Sequence, residues 1–119
     1  SRRIVQMARE AGASRVLFAS SSPPIVHPNV YGIDMPARNE YVAHGKDVEG
    51  ICRTIGADWL IYQTLDDLVD SCLGAGETAF ANFDCSCFDG VYVTGGITEE
   101  YLDSIESTRG DSAKGQASV

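Results

Sequence analysis

Amphipathic segments alternate with short apolar runs along this chain. Residues 2–11 and 47–55 place apolar side chains at helical spacing, and a glycine follows each segment. Residues 16–19 are a continuous apolar run, typical of a parallel strand covered on both faces. Residues 30–34 predict a second strand, and residues 59–63 a third, buried one. The alternation predicts an α/β fold, in which right-handed crossovers join a parallel sheet to its flanking helices.

The second part of the chain has a different pattern. Thr64, with Asp67 three residues later, predicts the start of a helix. The Asp89-Gly90 pair lies between apolar flanks and predicts a hairpin, with residues 91–94 as the returning strand. Thr98 is expected to cap a last helix that ends at Gly110, before a polar tail.

These patterns divide the chain into residues 1–76, which hold the sheet and its helices, and residues 77–119, which hold the hairpin, the last helix and the tail. Three or four strands are few for a self-sufficient doubly wound domain. We therefore expect the chain to be the second half of such a domain.

Composition excludes several classes of partner. The net charge is −8 and the isoelectric point is near 4.5, which argues against a surface for nucleic acids or acidic membranes. Apolar runs do not reach membrane-spanning length. The four cysteines are too sparse for a disulfide framework, so we expect reduced thiols in a cytoplasmic protein.

Acidic and thiol side chains offer two candidate sites, each with a structural alternative. Asp66 and Asp67 follow an apolar strand and could serve Mg²⁺ and a sugar diphosphate, but capping of the following helix explains them better. Cys85 and Cys87 could bind a metal, but a single C-x-C without a second pair favours packing of both thiols.

Turn residues give weaker signals. His27 and His44 each lie at a predicted turn, and residues 20–22 are three serines that could bind an anion or simply form a turn. Asp34 ends the predicted strand at residues 30–34. It either caps the turn at residues 39–41 or faces a polar cavity, and its neighbours in the sequence leave both open.

Several stretches together resemble one enzyme family. "PNVYGIDMP", "EYVAHG", "IGADWLIYQTLDDL", "FDCSCFDGVYVT" and "YLDSIESTRGDSAKGQ" are similar to the C-terminal portion of the amidophosphoribosyltransferases. The resemblance implies part of a type I phosphoribosyltransferase fold. It also implies the first committed step of de novo purine biosynthesis, in which glutamine-derived ammonia and phosphoribosylpyrophosphate give 5-phosphoribosylamine.

The family's glutaminase cysteine and phosphoribosylpyrophosphate loop have no counterpart in these residues. We therefore expect no catalytic residue here, and no activity from the 119 residues alone. The resemblance places Asp34, Met35 and Tyr41 along the active-site wall and the internal ammonia passage.

Cofactors and partners also follow from the resemblance. It implies Mg²⁺ in the full enzyme, with ligands upstream of Ser1, purine nucleotides as feedback inhibitors, and a homo-oligomer. Some relatives hold an iron–sulfur cluster, and Cys87 matches one of its ligands. Asn29 and Asp84 stand at two other ligand positions, so no cluster is expected.

A second hypothesis comes from a different class. The chain could be a small non-enzymatic α/β module that binds a nucleotide or regulates another protein. Such a module would use the serine turn at residues 20–22 and the edge near Asp34.

Overall fold

The structure is a computed structural model that describes residues 1–74 and 82–116, with side chains to residue 108. It confirms the α/β class. The elements in chain order are α1 (Arg2–Glu10), β1 (Leu17–Ser20), a 3₁₀ turn (Arg38–Glu40), α2 (Val48–Ile55), β2 (Trp59–Tyr62), α3 (Leu65–Gly74), α4 (Ser86–Asp89) and α5 (Glu99–Gln116).

The two apolar runs form the sheet. β1 and β2 pair in parallel, with Leu17 opposite Trp59 and Ser20 opposite Tyr62. Helix α2 provides the crossover between them; Asp47 caps its start through the Gly50 N–H at 2.8 Å, and Gly56 ends it in the left-handed conformation. A buried apolar cluster joins α1 and α2 to one face of the sheet. Its members are Val5, Ala43, Ile51, Ile55 and Leu60.

The opposite face of the sheet is open. Leu17 is 59% exposed, Trp59 53% and Ile61 46%, and Ala19 on the same face is also exposed. The expectation that both faces of these strands are covered is therefore wrong for the part of the chain described here, where α1 and α2 pack on one side only. A parallel sheet normally buries both faces, so this two-stranded sheet is incomplete by itself.

One carboxylate ties the start of β1 to the start of β2. Asp58 Oδ2 accepts hydrogen bonds from the Val16 N–H at 2.7 Å and from Arg9 Nη2 at 2.9 Å. The same Arg9 nitrogen donates to the carbonyl of Gly56 at 2.9 Å. The hydrogen bond from Val16, supported by Arg9, holds the pKa of the Asp58 carboxyl below its ordinary value.

The predicted strand at residues 30–34 is wrong. Residues 31 and 32 form a bend and the others have no regular structure, because the side chain of Asn29 captures the backbone donors that a strand would need. Asn29 Oδ1 accepts from the Tyr31 N–H at 2.9 Å and from the Ile33 N–H at 3.1 Å. Gly32, with a φ of 102°, turns the chain between them.

The predicted hairpin at Asp89-Gly90 is also wrong. Residues 86–89 form the short helix α4, and Gly90, with a φ of 73°, caps it by donating its N–H to the carbonyl of Ser86 at 2.9 Å. A Cβ at Gly90 would lie 2.9 Å from the ring of His27, so this position has no room for a side chain. Residues 91–94 form no strand, and β1 and β2 are the only strands in the described residues.

The last helix is longer than expected. α5 begins after Thr98, whose Oγ1 accepts from the Tyr101 N–H at 3.2 Å, and it runs through Gly110 to Gln116. An internal glycine costs only about 1 kcal/mol, and no proline follows to force an end.

Although α5 has 18 residues, the described part of the chain contains no helix apolar enough to cross a membrane. The expected division at residues 76/77 lies outside the described residues.

We predict that Asp58→Asn destabilises the chain at neutral pH and has little effect in acid. A carboxyl whose pKa is lowered by folding contributes stability above its unfolded pKa of about 3.9. That contribution is lost as the pH falls through the lower pKa of the folded state. Urea unfolding of both proteins from pH 7 to pH 2 checks this, and a difference in midpoint that is constant with pH would contradict it.

Candidate functional site

A cleft lies at the carboxyl ends of the two strands. Ser20 and Tyr62, the last residues of β1 and β2, form one side, and residues 40–43 form the other. The cleft has a volume of about 370 Å³ and also reaches Ser1, at the start of α1. Parallel sheets bind ligands at this end, because strands and helix N-termini converge there. We call this space the strand-end cleft.

A second cleft lies beside α5. It has a volume of about 280 Å³ and is enclosed by residues 28–30, residues 34–37 and the α5 residues Leu102, Ile105 and Glu106. We call it the helix cleft. Met35, Pro36 and Glu40 line both clefts, so residues 35–40 form a thin partition between them.

The three residues predicted to line an active-site wall are divided between these clefts. Tyr41 is 8% exposed and lines the strand-end cleft, and Met35 lines both clefts. Asp34 is exposed and lines the helix cleft. At the turn of residues 38–40, Glu40 Oε2 accepts from the Ala37 N–H at 3.0 Å.

Ser20 and Ser22, which line the strand-end cleft, form hydrogen bonds within their own turn. Ser20 Oγ donates to the carbonyl of Ser22 at 2.9 Å and accepts from the Ser22 N–H at 3.3 Å. These contacts favour the turn hypothesis for residues 20–22 over anion binding. Burial raises the pKa of Tyr62, so its phenol stays protonated at neutral pH.

Asn29 is a buried polar residue whose contacts the sequence did not predict. It contacts Met35, the first residue of the partition. Asn29 is 2% exposed, and its Nδ2 donates to Asp84 Oδ2 at 3.4 Å. The Asn29 N–H donates to Met35 Sδ at 3.3 Å, and Cys87 Sγ lies 3.7 Å from the same sulfur. Asn29 and Asp84 are 55 residues apart, so no local pattern could have joined them.

Asn29, Asp84 and Cys87 also stand at the positions where the resemblance implies iron–sulfur cluster ligands in some relatives. The residues at the expected ligand positions are an amide, a carboxylate and one thiol, whereas such clusters are held by thiolates. Burial, followed by the charge of Asp84, raises the pKa of Cys87, and burial, followed by Asp89, raises that of Cys85. These residues do not fit a cluster, and the described residues contain no set of three side chains suited to a metal ion.

The paired acids after β2 cap a helix, as expected. Thr64 Oγ1 accepts from the Asp67 N–H at 3.1 Å and donates to Asp67 Oδ2 at 2.6 Å, at the start of α3. Neither carboxylate lines the strand-end cleft or the helix cleft. The histidines are at turns: His27 lies on Gly90, and the His44 N–H donates to the carbonyl of Tyr41 at 3.0 Å.

Comparison with solved structures defines the class of fold. The chain matches the glutamine phosphoribosylpyrophosphate amidotransferase of Bacillus subtilis, solved with ADP and GMP, over 82% of its own length, with a TM-score of 0.67 and 38% identity. A structure titled the allosteric regulatory enzyme of purine biosynthesis matches over 88%, with a TM-score of 0.68 and 38% identity. The chain therefore has part of a type I phosphoribosyltransferase fold.

Sequence comparison names the particular relatives. The chain is 50% identical to the amidophosphoribosyltransferase of Pseudomonas aeruginosa over 116 residues, which is 98% of the chain, and 54% identical to that of Pasteurella multocida over 114 residues. It covers 23% and 22% of these proteins, so it spans less than a quarter of their length. No protein-family model matches. The chain is thus similar to the C-terminal part of the amidophosphoribosyltransferases, which confirms the predicted resemblance.

We predict that the cysteines differ in reactivity. Cys72 on α3 is exposed, whereas Cys85 and Cys87 are partly buried and have raised pKa values. Since the thiolate is the reacting form, N-ethylmaleimide should label Cys72 at least about tenfold faster than Cys87. Peptide mass spectrometry over time measures the rates, and labelling in urea, where the difference should vanish, is the control. Equal rates in the folded chain would contradict the structure.

Proposed function

We propose that this chain works as the C-terminal part of an amidophosphoribosyltransferase. That glycosyltransferase combines glutamine-derived ammonia with phosphoribosylpyrophosphate to give 5-phosphoribosylamine, the first committed step of de novo purine biosynthesis. The observation that carries the proposal is about 50% identity over nearly the whole chain, together with the matching fold. Residues 1–76 would be the second half of the transferase domain, and residues 77–119 a C-terminal unit.

The open face of the sheet supports the proposal that this chain is part of a larger domain. Leu17, Trp59 and Ile61 expose large apolar side chains on one surface of β1 and β2. Each such side chain is worth about 1.5–3 kcal/mol when fully buried, so leaving this face in water forgoes much of the stability the strands could have. We infer that segments of the enzyme outside these 119 residues cover it.

The partition at residues 35–40 and Tyr41 would form a wall of the transferase site. The buried aromatic ring of Tyr41 and the thioether of Met35 face the strand-end cleft, at the end of the sheet where substrates bind. Met35, Pro36 and Tyr41 give this wall apolar surface, which favours passage of neutral ammonia over its protonated form. Asp34 would mark the rim on the helix-cleft side.

Cofactors and partners extend the same proposal. The enzyme would use Mg²⁺, held outside this chain, with phosphoribosylpyrophosphate and glutamine as substrates and purine nucleotides as feedback inhibitors. The Bacillus subtilis relative was solved with ADP and GMP. The contact between Asn29 and Asp84 supports an enzyme without an iron–sulfur cluster. We further propose a cytoplasmic homo-oligomer that binds neither nucleic acid nor membrane, in line with the net charge of −8.

We predict that the 119 residues alone do not release pyrophosphate from phosphoribosylpyrophosphate with ammonia and Mg²⁺, whereas the full enzyme does. The chain supplies walls but lacks the loop that would hold the phosphates. A coupled pyrophosphate assay compares the two. Turnover by the 119 residues would overturn the proposal that this part of the enzyme holds no catalytic residue.

Calorimetric titration of GMP into the same chain tests the alternative hypothesis of a small nucleotide-binding module. A self-contained module must bind GMP, and a partial domain should not.

We predict that Tyr41→Ala in the full enzyme separates its two reactions. Loss of the buried ring opens the wall to water, so glutamate release from glutamine should exceed phosphoribosylamine formation by at least about twofold. The ratio of the two products measures this. Tyr41→Phe keeps the bulk and should restore a ratio near one. Tyr101→Ala, at a half-exposed position on α5, is the matched control. An unchanged ratio in Tyr41→Ala would remove this residue from the passage.

A further inference from the structure

Residues 35–40 lie between two clefts, and Pro36, Asn39 and Glu40 are exposed. The strand-end cleft lies on one side and the helix cleft on the other. At one end of this partition, Met35 Sδ is fixed by the Asn29 N–H and the Cys87 thiol. Toward the other end, the partition makes a different set of contacts.

Those contacts are made by Arg38. Its backbone N–H and its Nε both donate to Glu106 Oε1, at 2.9 and 3.0 Å. Nη1 donates to Glu99 Oε2 at 2.6 Å, and Nη2 donates to Asp103 Oδ1. The three carboxylates lie four and three residues apart, on one face of α5. One guanidinium therefore connects the partition to two turns of the last helix.

The strength of these contacts is uneven. The side chains of Glu99 and Asp103 are 79% and 70% exposed, so their ion pairs with Arg38 are largely screened by water. Glu106 is 23% exposed and Arg38 20%, and only this pair includes a backbone N–H of the partition. Hydrogen bonding to Glu99, and then to Glu106, raises the pKa of Arg38, so the guanidinium stays charged throughout the accessible pH range.

Removing the guanidinium would reverse the local electrostatics. Glu99, Asp103 and Glu106 would then form an uncompensated acidic face next to the partition, where Glu40 already adds a carboxylate. Like charges at this spacing repel. Helix α5 and the partition would therefore separate, with Leu102 as the one buried apolar side chain among those described on α5.

We propose that Arg38 is a positioning residue, which holds the partition against α5 and so sets the place of Met35 and Tyr41 in the wall of the strand-end cleft. The inference rests on the proposed function, because that wall is the one assigned to the ammonia passage. Arg38 itself lines neither cleft. It acts through the backbone of residues 37–41, where the Tyr41 N–H donates to the carbonyl of Arg38 at 3.2 Å.

The test uses the full enzyme with Arg38→Ala, Arg38→Lys and the control Arg53→Ala, which removes an exposed ion pair with Glu49 on α2. Phosphoribosylamine is measured with glutamine and, separately, with external ammonia, alongside glutamate release. Arg38→Ala should lower the phosphoribosylamine formed per glutamate by about fivefold. Arg38→Lys should restore part of it, since an ammonium keeps the charge but not the fork of donors. Arg53→Ala should match the wild type.

A second variant tests the same role independently of whether Arg38→Ala folds. Glu106→Gln keeps the shape of the side chain and weakens the most shielded contact; Glu100→Gln, outside the Arg38 contacts, is its control. Glu106→Gln should lower the same product ratio, and Glu100→Gln should not. A reduced melting temperature with an unchanged ratio in Arg38→Ala or Glu106→Gln would overturn the positioning role. A wild-type enzyme that makes no phosphoribosylamine would instead overturn the proposed function.

Discussion

The parallel pairing of β1 with β2 is the constraint on which the rest of the structure depends. It brings Ser20 and Tyr62 to the same edge, and it leaves α1 and α2 to pack against one face. Asp58 reinforces the pairing from the other end of the strands, by binding the Val16 N–H directly before β1. The strand-end cleft exists because residues 40–43 then cross this edge rather than extend the sheet.

The sequence predicted the parts of the fold that local interactions determine. A cap such as Asp47 or Thr64 satisfies donors within three residues, so its effect can be recognised from a short stretch. The apolar runs of β1 and β2 are equally local. Exposure of one sheet face could not be anticipated from these runs, because they have the composition of strands that are buried on both faces.

Two of the failed predictions concern residues that also contact distant parts of the chain. Asn29 and Gly90 serve contacts with residues more than 50 positions away: Asn29 with Asp84, and Gly90 with the ring of His27. An Asp-Gly pair suits a hairpin turn or a helix cap equally well, and a tertiary contact decides between them. The candidate site shows the same difference between residues that the sequence indicated and residues with distant partners. The resemblance placed Met35 and Tyr41 along one wall, but Arg38 went unnoticed, because its partners lie 61 to 68 residues further on.

Polar contacts therefore help to shape the walls of the two clefts, together with the ends of β1 and β2 and with helix α5. Neither Arg38 nor Asn29 belongs to the apolar cluster around Ile51 and Leu60. A small displacement of the partition would still alter both clefts, since Met35 lines each of them. The apolar cluster and the polar contacts of the partition thus involve different residues among those described. We expect substitutions in the polar contacts to change the geometry of the clefts more than the packing of the apolar cluster.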